Sequence, residues 1–249
     1  MFTPDPVAFT FFGIDVRWYG VLIGTGFLIA MIMSYYRAPR FNIDQDFILD
    51  FAIFLIPLSI IGARAYYVIF SWEDYAGNWG KIFNIRGGGL AIHGGIIVGI
   101  IVAAVLCHKR KVNFLNLADL IFPAVALAQS IGRWGNFFNS EAHGGPTDLP
   151  WGIMVDGIKV HPTFLYESIW CLLLFIFLTA LSKHRKFYGQ IGLLYGILYS
   201  AERFFVEQLR TDSLMIGPFK QAQVLSLCTI IICLIIYIYL YKRKKGDSK

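Results

Sequence analysis

Tyr199, Arg203, Glu207 and Arg210 recur at i, i+4, i+8 and i+11 within an otherwise apolar run. At about 100° per residue, that spacing covers less than a quarter of a helix circumference. One stripe of a helix therefore turns a phenol, two guanidinium groups and a carboxylate the same way, and Arg203 and Glu207 are spaced to pair. A second group lies at 132–144, where Arg133, Asn136, Asn139 and Glu141 arrive as the apolar run over 115–131 ends. Polar groups at such a place are costly and need a reason. A third is His93, flanked by Gly87, Gly88, Gly89, Gly94 and Gly95. Five glycines in nine residues suit a loop or a broken helix that lets backbone come close to another group. Several guanidinium groups point to a phosphate, because their fixed fork matches its oxygens and stays charged at any depth. A tyrosine, a histidine and a glutamate beside it could move protons or orient a nucleophile. No cysteine belongs to these groups, so a sulfur nucleophile would have to come from the substrate.

The elements that position these residues are membrane helices. The chain has 249 residues, 57% of them hydrophobic and 15% charged, with a mean hydropathy of +0.60. A soluble domain is only about 45–50% apolar. Windows of about 20 apolar residues fit seven times, near 17–36, 47–70, 88–107, 115–136, 163–182, 188–210 and 222–241. The expected fold is therefore an all-α integral membrane protein. It is a single polytopic domain of seven transmembrane helices, with a small extracytoplasmic cap at about 137–162. The first 12 residues lack a basic stretch followed by a small-residue cleavage site. They read as a retained N-terminus and not as a removable signal peptide.

Charge sets the orientation. Thirteen basic residues follow segments one, three, five and seven, and five lie in the N-terminal stretch and the other connections. The positive-inside rule then places the C-terminus in the cytoplasm and the N-terminus outside. The net charge of +6 is spread over short runs between apolar segments instead of forming one basic face, so it reports orientation and not nucleic-acid binding. In this topology Tyr19, Arg64, His93, Arg133, Asn136, Tyr166, Glu167, Arg203, Glu207 and Arg210 all fall toward the outer side, and the cytoplasmic halves are apolar. The 153–160 stretch alternates between turn signals and predicts a hairpin in the cap. Pairs of glycines four apart, Gly20 with Gly24, Gly95 with Gly99 and Gly192 with Gly196, predict close helix packing. Cys107, Cys171, Cys228 and Cys233 lie in or at the end of apolar segments without metal-ligand spacing, and neither a disulfide nor a metal is expected.

Gly132-Arg133-x-Gly135-Asn136-Phe137-x-Asn139-x-Glu141-x-x-Gly144 resembles the signature of the prolipoprotein diacylglyceryl transferases, bacterial membrane enzymes. Further blocks agree in order: Trp18-Tyr19-Gly20, the 88–95 stretch with His93, His161-Pro162-Thr163-x-Leu165-Tyr166-Glu167, and Arg203-x-x-x-Glu207-x-x-Arg210. The similarity runs from about residue 16 to about residue 240.

That resemblance implies transfer of the diacylglyceryl group of phosphatidylglycerol to the lipobox cysteine thiol of prolipoprotein signal peptides. A thioether forms, glycerol 1-phosphate is released, and no cofactor is used. It also implies a multi-pass protein of the bacterial cytoplasmic membrane with its active site toward the outer leaflet. On this reading Arg133 and Arg203 stabilise the phosphate and Glu207 holds Arg203. Asn136 and Tyr19 bind glyceryl or phosphate oxygens, and His93 is the candidate base with Tyr199 as an alternative participant. Asn139, Glu141, Gly144 and Arg210 complete the substrate-binding set, with Glu141 and Gly144 past the helix end, where they also shape the turn into the cap. The cap is shorter than in some members of the family. On composition alone, an anion transporter or channel also fits, and so does an intramembrane hydrolase built on Ser130, although Ser130 has no partner at sequence level.

Overall fold

A computed structural model of the chain describes residues 4–85 and 88–247; Arg86, Gly87 and Lys249 of the sequence reading lie outside the described residues. The N-terminal stretch forms a hairpin of β1 (Val7–Phe11) and β2 (Ile14–Arg17). Its two turn residues, Phe12 and Gly13, both have positive φ, the backbone twist that suits a tight hairpin. Helix α1 (Trp18–Arg37) follows, then a 3-10 turn and α2 (Gln45–Phe70). Two short helices, α3 (Trp72–Tyr75) and α4 (Trp79–Phe83), lead to α5 (Ile92–Arg110) and α6 (Phe114–Phe138). The hairpin expected in the cap is present as β3 (Ile153–Val155) and β4 (Ile158–Val160). Then come α7 (Thr163–Ser182), α8 (Gln190–Leu209), the short pair β5 (Met215–Ile216) and β6 (Phe219–Lys220), and α9 (Gln221–Asp247).

Among the described residues, six helices are long and apolar enough to cross a membrane: α1 with its following turn, α2, α5, α6, α7 and α9. The remaining long helix is α8, of 20 residues, but Glu202, Arg203 and Glu207 interrupt its apolar length. Large side chains such as Ile231, Ile232 and Ile235 of α9 are exposed, as expected where lipid is the solvent.

The chain divides into two compact units, Met1–Ser34 with Ala118–Lys249, and Tyr35–Leu117. In the first, Ala126 of α6, Leu174 and Leu178 of α7, and Ile191 and Tyr195 of α8 form one core. Gly26 of α1 meets the backbone of Ala128, where an added Cβ would lie 2.9 Å from its carbonyl oxygen. In the second unit, α2 packs on α5 with Gly62 and Gly94 backbone to backbone.

The glycine pairs behave unequally. Gly95 and Gly99 face Ser59 and Leu55 of α2, and Gly192 and Gly196 face Ala118 and Cys233. Gly20 and Gly24 have nothing within 4 Å of an added Cβ, so the expectation of close packing fails there. Spacing marks a smooth helix face but not whether another helix covers it.

The end of α6 away from the Arg133 motif is not uniformly apolar. Asp119 is fully buried and accepts from the backbone N–H groups of Gly189, Ile191 and Gly192, at 2.8, 2.8 and 3.0 Å. Arg185 adds an ion pair at 3.1 Å. One carboxylate thus satisfies the orphan donors at the start of α8, a helix N-cap supplied by another helix. Removing it would strip those backbone donors of their acceptor and Arg185 of this ion pair. Asp119→Ala is expected to lower stability by about 3–5 kcal/mol, read as a fall in the thermal unfolding midpoint in detergent.

Candidate active site

Two of the three sequence groups, the α8 stripe and the 132–144 motif, meet in the first unit around a residue the stripe did not include. Glu167, in the first turns of α7, is fully buried. Its Oε1 lies 3.0 Å from Nη2 of Arg133 on α6 and 2.6 Å from Nη1 of Arg203 on α8. Arg203 turns its Nη2 to Glu207, 2.6 Å away one turn along α8. Arg133 also donates to the Tyr199 hydroxyl at 3.2 Å. Two guanidinium groups and two carboxylates thus form a chain, Glu207 to Arg203 to Glu167 to Arg133. The arginine side chains are 20% and 19% exposed, whereas the carboxylates are 0% and 3% exposed. Anions form the floor and cations the accessible layer.

The donors left over differ among the arginines. Among the described residues, Arg133 has Nε and Nη1 without a protein partner. Arg64, in the second unit, has none left: its five donors go to the carbonyls of Ile82, Gly88, Gly89, Lys81 and Asn84, at 2.6–3.0 Å. The glycine run therefore does bring backbone close to a charged group, but the group is the protein's own. Gly88 and Gly89 have positive φ, and an added Cβ on Gly89 would collide with Arg64. Arg64, expected toward the outer side with the other polar residues, spends all five of its donors on main-chain carbonyls. His93 belongs to this second unit too, exposed in the first turn of α5, its ring 6.2 Å from that of Tyr66.

In the 132–144 motif, Gly135 lets Tyr19 pack against α6, since an added Cβ would lie 2.7 Å from the Tyr19 ring. Trp18 stacks on Phe138 at 5.1 Å. Asn136 and Asn139 both donate to Oε1 of Glu141, at 3.0 and 3.2 Å. These three join the last turn of α6 to the turn that follows it, beside a cleft of about 310 Å³ that Asn136 and Glu141 line with Phe137, His143, Met154 and Phe164. Gly144 donates to the His161 carbonyl at 2.9 Å and bridges to Arg210. A Cβ there would lie 2.7 Å from His161 and 3.1 Å from the Leu209 carbonyl, so close backbone approach requires this glycine. Arg210 leaves the α8 stripe: it is the C-cap in an extended conformation, and its Nε and Nη2 take Asp212 bidentately at 2.9 and 2.8 Å. That fork holds the Asp212 carboxyl below the ordinary carboxylate range. The helical spacing placed Arg210 with Arg203 only if the helix continued, and it ends at Leu209. Lys220 caps that end, donating to the carbonyls of Glu207 and Arg210 at 2.7 and 2.8 Å.

Ser130 is occupied structurally. Its hydroxyl donates to the Ser168 carbonyl and that of Ser168 donates to the Ser130 carbonyl, both at 2.8 Å, a reciprocal clasp between α6 and α7. Sequence reasoning quoted Glu167 without a role, because spacing cannot show that one carboxylate reaches two helices. It passed over Glu202, although a carboxylate inside an apolar run is itself a signal. Cys171 is one turn beyond Glu167 on the same buried face of α7 and is fully buried. The sequence reading gave these groups no cysteine of their own, and the structure sets the buried Cys171 thiol beside them because i and i+4 share one helix face. Because Glu167 neutralises two guanidinium groups and Glu207 one, Glu167→Gln is expected to cost about 3 kcal/mol of stability and Glu207→Gln less, compared by thermal unfolding in the same detergent.

The family model described as prolipoprotein diacylglyceryl transferase matches residues 6–239. A phosphatidylglycerol–prolipoprotein diacylglyceryl transferase of Clostridioides difficile is 53% identical, the match covering 98% of each chain. Proteins of the same name from Finegoldia magna and Clostridium novyi are 52% and 48% identical over 98% of this chain, and over 100% and 99% of their own. On matches of this extent, the chain belongs to the prolipoprotein diacylglyceryl transferase family of membrane enzymes.

Proposed function

We propose that this enzyme transfers the diacylglyceryl group of phosphatidylglycerol to the lipobox cysteine thiol of prolipoprotein signal peptides, releasing glycerol 1-phosphate. The reaction takes place at the outer leaflet of the bacterial cytoplasmic membrane, with α8 as the seventh span, the N-terminus outside and the C-terminus in the cytoplasm. The relatives' names supply the two substrates. The observation that carries the reading is Arg133, a partly accessible guanidinium anchored on buried Glu167 with Nε and Nη1 free. Its anchored edge fixes orientation and its free edge presents two donors to phosphate oxygens, with no reorganisation needed at the moment of reaction.

The charge change assigns the roles. The thiol loses its proton, its sulfur attacks the glyceryl carbon, and the carbon–oxygen bond breaks with its electron pair going to the phosphate. A phosphodiester with one negative charge leaves as a monoester that gains another. Arg133 and Arg203 oppose that growing charge, and Glu167 and Glu207 keep the two guanidinium groups apart and in place. Asn136 and Tyr19 contact glyceryl or phosphate oxygens, with Asn139, Glu141 and Gly144 shaping that wall. His93 is the proposed proton acceptor, with Tyr199, already hydrogen-bonded to Arg133, as the alternative participant.

Purified enzyme given phosphatidylglycerol and a lipobox peptide should release glycerol phosphate. Arg133→Ala and Arg203→Ala are each expected to lower kcat by about a hundred- to a thousandfold, the loss of roughly 2.7–4 kcal/mol seen when an anion-stabilising donor is removed. Wild-type turnover by both variants would refute the phosphate role. The variant with all four cysteines replaced by serine should retain turnover, and a folded but inert product would move the sulfur nucleophile from substrate to protein.

A further inference from the structure

Glu202 has no role in the arrangement above, yet it is the most unusual carboxyl group in the site. It is 7% exposed, and both of its oxygens are buried without a hydrogen-bond partner. On α8 it immediately precedes Arg203, follows Tyr199 by three residues, and lies on the line of Tyr195, seven residues back. The charged and titratable groups around it come from three helices. Arg133 approaches from α6, Glu167 and Cys171 from α7, and Arg203 from its own helix. Helix α9 packs on another side of α8, where it sets Cys233 against Gly196.

Charge counting decides its form. Arg133 and Arg203 are already balanced by Glu167 and Glu207, so an ionised Glu202 would leave the cluster with one uncompensated negative charge. That charge would have no hydrogen bond to support it, a costly state for a buried carboxylate, and it would repel an incoming phosphodiester. The neutral acid avoids both penalties and keeps an O–H to donate.

We propose that Glu202 is the proton donor to the departing phosphate, an inference that rests on the transferase reading given above. As sulfur bonds to the glyceryl carbon and the carbon–oxygen bond breaks, the leaving oxygen takes its electron pair and the Glu202 proton. Glu202 is left as a carboxylate. The proton removed from the thiol by the base then returns to Glu202 by way of solvent, so each turnover moves one proton from thiol to phosphate with no other reagent consumed. Arg133 and Arg203 hold the phosphate while the Glu202 proton takes up the charge that develops on the leaving oxygen, so the monoester departs with one negative charge.

The enzyme in phosphatidylglycerol vesicles, given a lipobox peptide, tests this through the pH dependence of glycerol phosphate release by wild type, Glu202→Asp and Glu202→Gln. Wild type should lose kcat as the pH rises and the acid form is titrated away. Glu202→Gln should lower kcat by about a hundredfold, leave KM for phosphatidylglycerol within about twofold and abolish the alkaline fall. Glu202→Asp should restore the fall and part of the rate. A Gln variant with wild-type rate and pH profile overturns the proposal, as does a loss confined to KM. Infrared spectroscopy of the resting protein separates this from failure of the transferase reading. A protonated-carboxyl band at neutral pH should vanish in Glu202→Gln and shift in Glu202→Asp. A band that neither variant changes refutes the proposal whether or not phosphatidylglycerol is the substrate.

Discussion

Glu167 is a fully buried carboxylate shared by two guanidinium groups on different helices. Burying a single charge among apolar helices is prohibitive, and burying a pair is barely favourable unless further polar contacts satisfy it. Here the satisfaction comes from geometry: α6, α7 and α8 must stand in one register for a single oxygen to meet Arg133 and Arg203 together. Much of the surrounding packing serves that register. The Ser130–Ser168 clasp ties α6 to α7 at the residue next to Glu167, and the Trp134 indole donates to the Ser168 hydroxyl at 3.2 Å. The core of Ala126, Leu174, Leu178, Ile191 and Tyr195 fills the space between the same three helices. Asp119 fixes where α8 starts, and Lys220 fixes where it ends.

The same constraint separates the arginines by function. A guanidinium with every donor taken is a scaffold, and one with an edge to spare is a receptor. Arg64, bonded to five carbonyls, organises the backbone between α4 and α5. Arg210, forked onto Asp212, closes the end of α8 beside Gly144. Arg203 divides itself between two carboxylates, and Arg133 keeps Nε and Nη1 for a ligand. Four residues of one type within apolar surroundings thus hold different positions on a scale from structure to chemistry, and their partners set the position.

The cap illustrates how a turn can be part of a site. Glu141 draws in the amides of Asn136 and Asn139, so the helix end and the turn form one wall. Gly144 admits the Leu209 carbonyl and the His161 backbone, so the cap rests directly on the terminus of α8.

The apolar runs, the polar motif at 132–144, the stripe on α8 and the hairpin at 153–160 were legible in the sequence. Each depends on period, composition or turn chemistry within one segment, and lipid as solvent makes the apolar windows long. Even the family was readable, since eight fixed positions within thirteen residues carry its motif. The N-terminal hairpin was missed because its turn, Phe12-Gly13, lacks the Asp-Gly signal that Asp156-Gly157 gives the cap hairpin. What only the tertiary structure decided is which polar groups meet: Glu167 with both arginines, Asp119 with the start of α8, Arg64 with five carbonyls, Arg210 with Asp212, and Glu202 near both arginines but without a hydrogen-bond partner among the described residues. The physical reason is that spacing along a helix fixes direction within that helix alone. A charge is satisfied or left free according to what neighbouring helices and loops bring to it, and that contact exists only once they are packed.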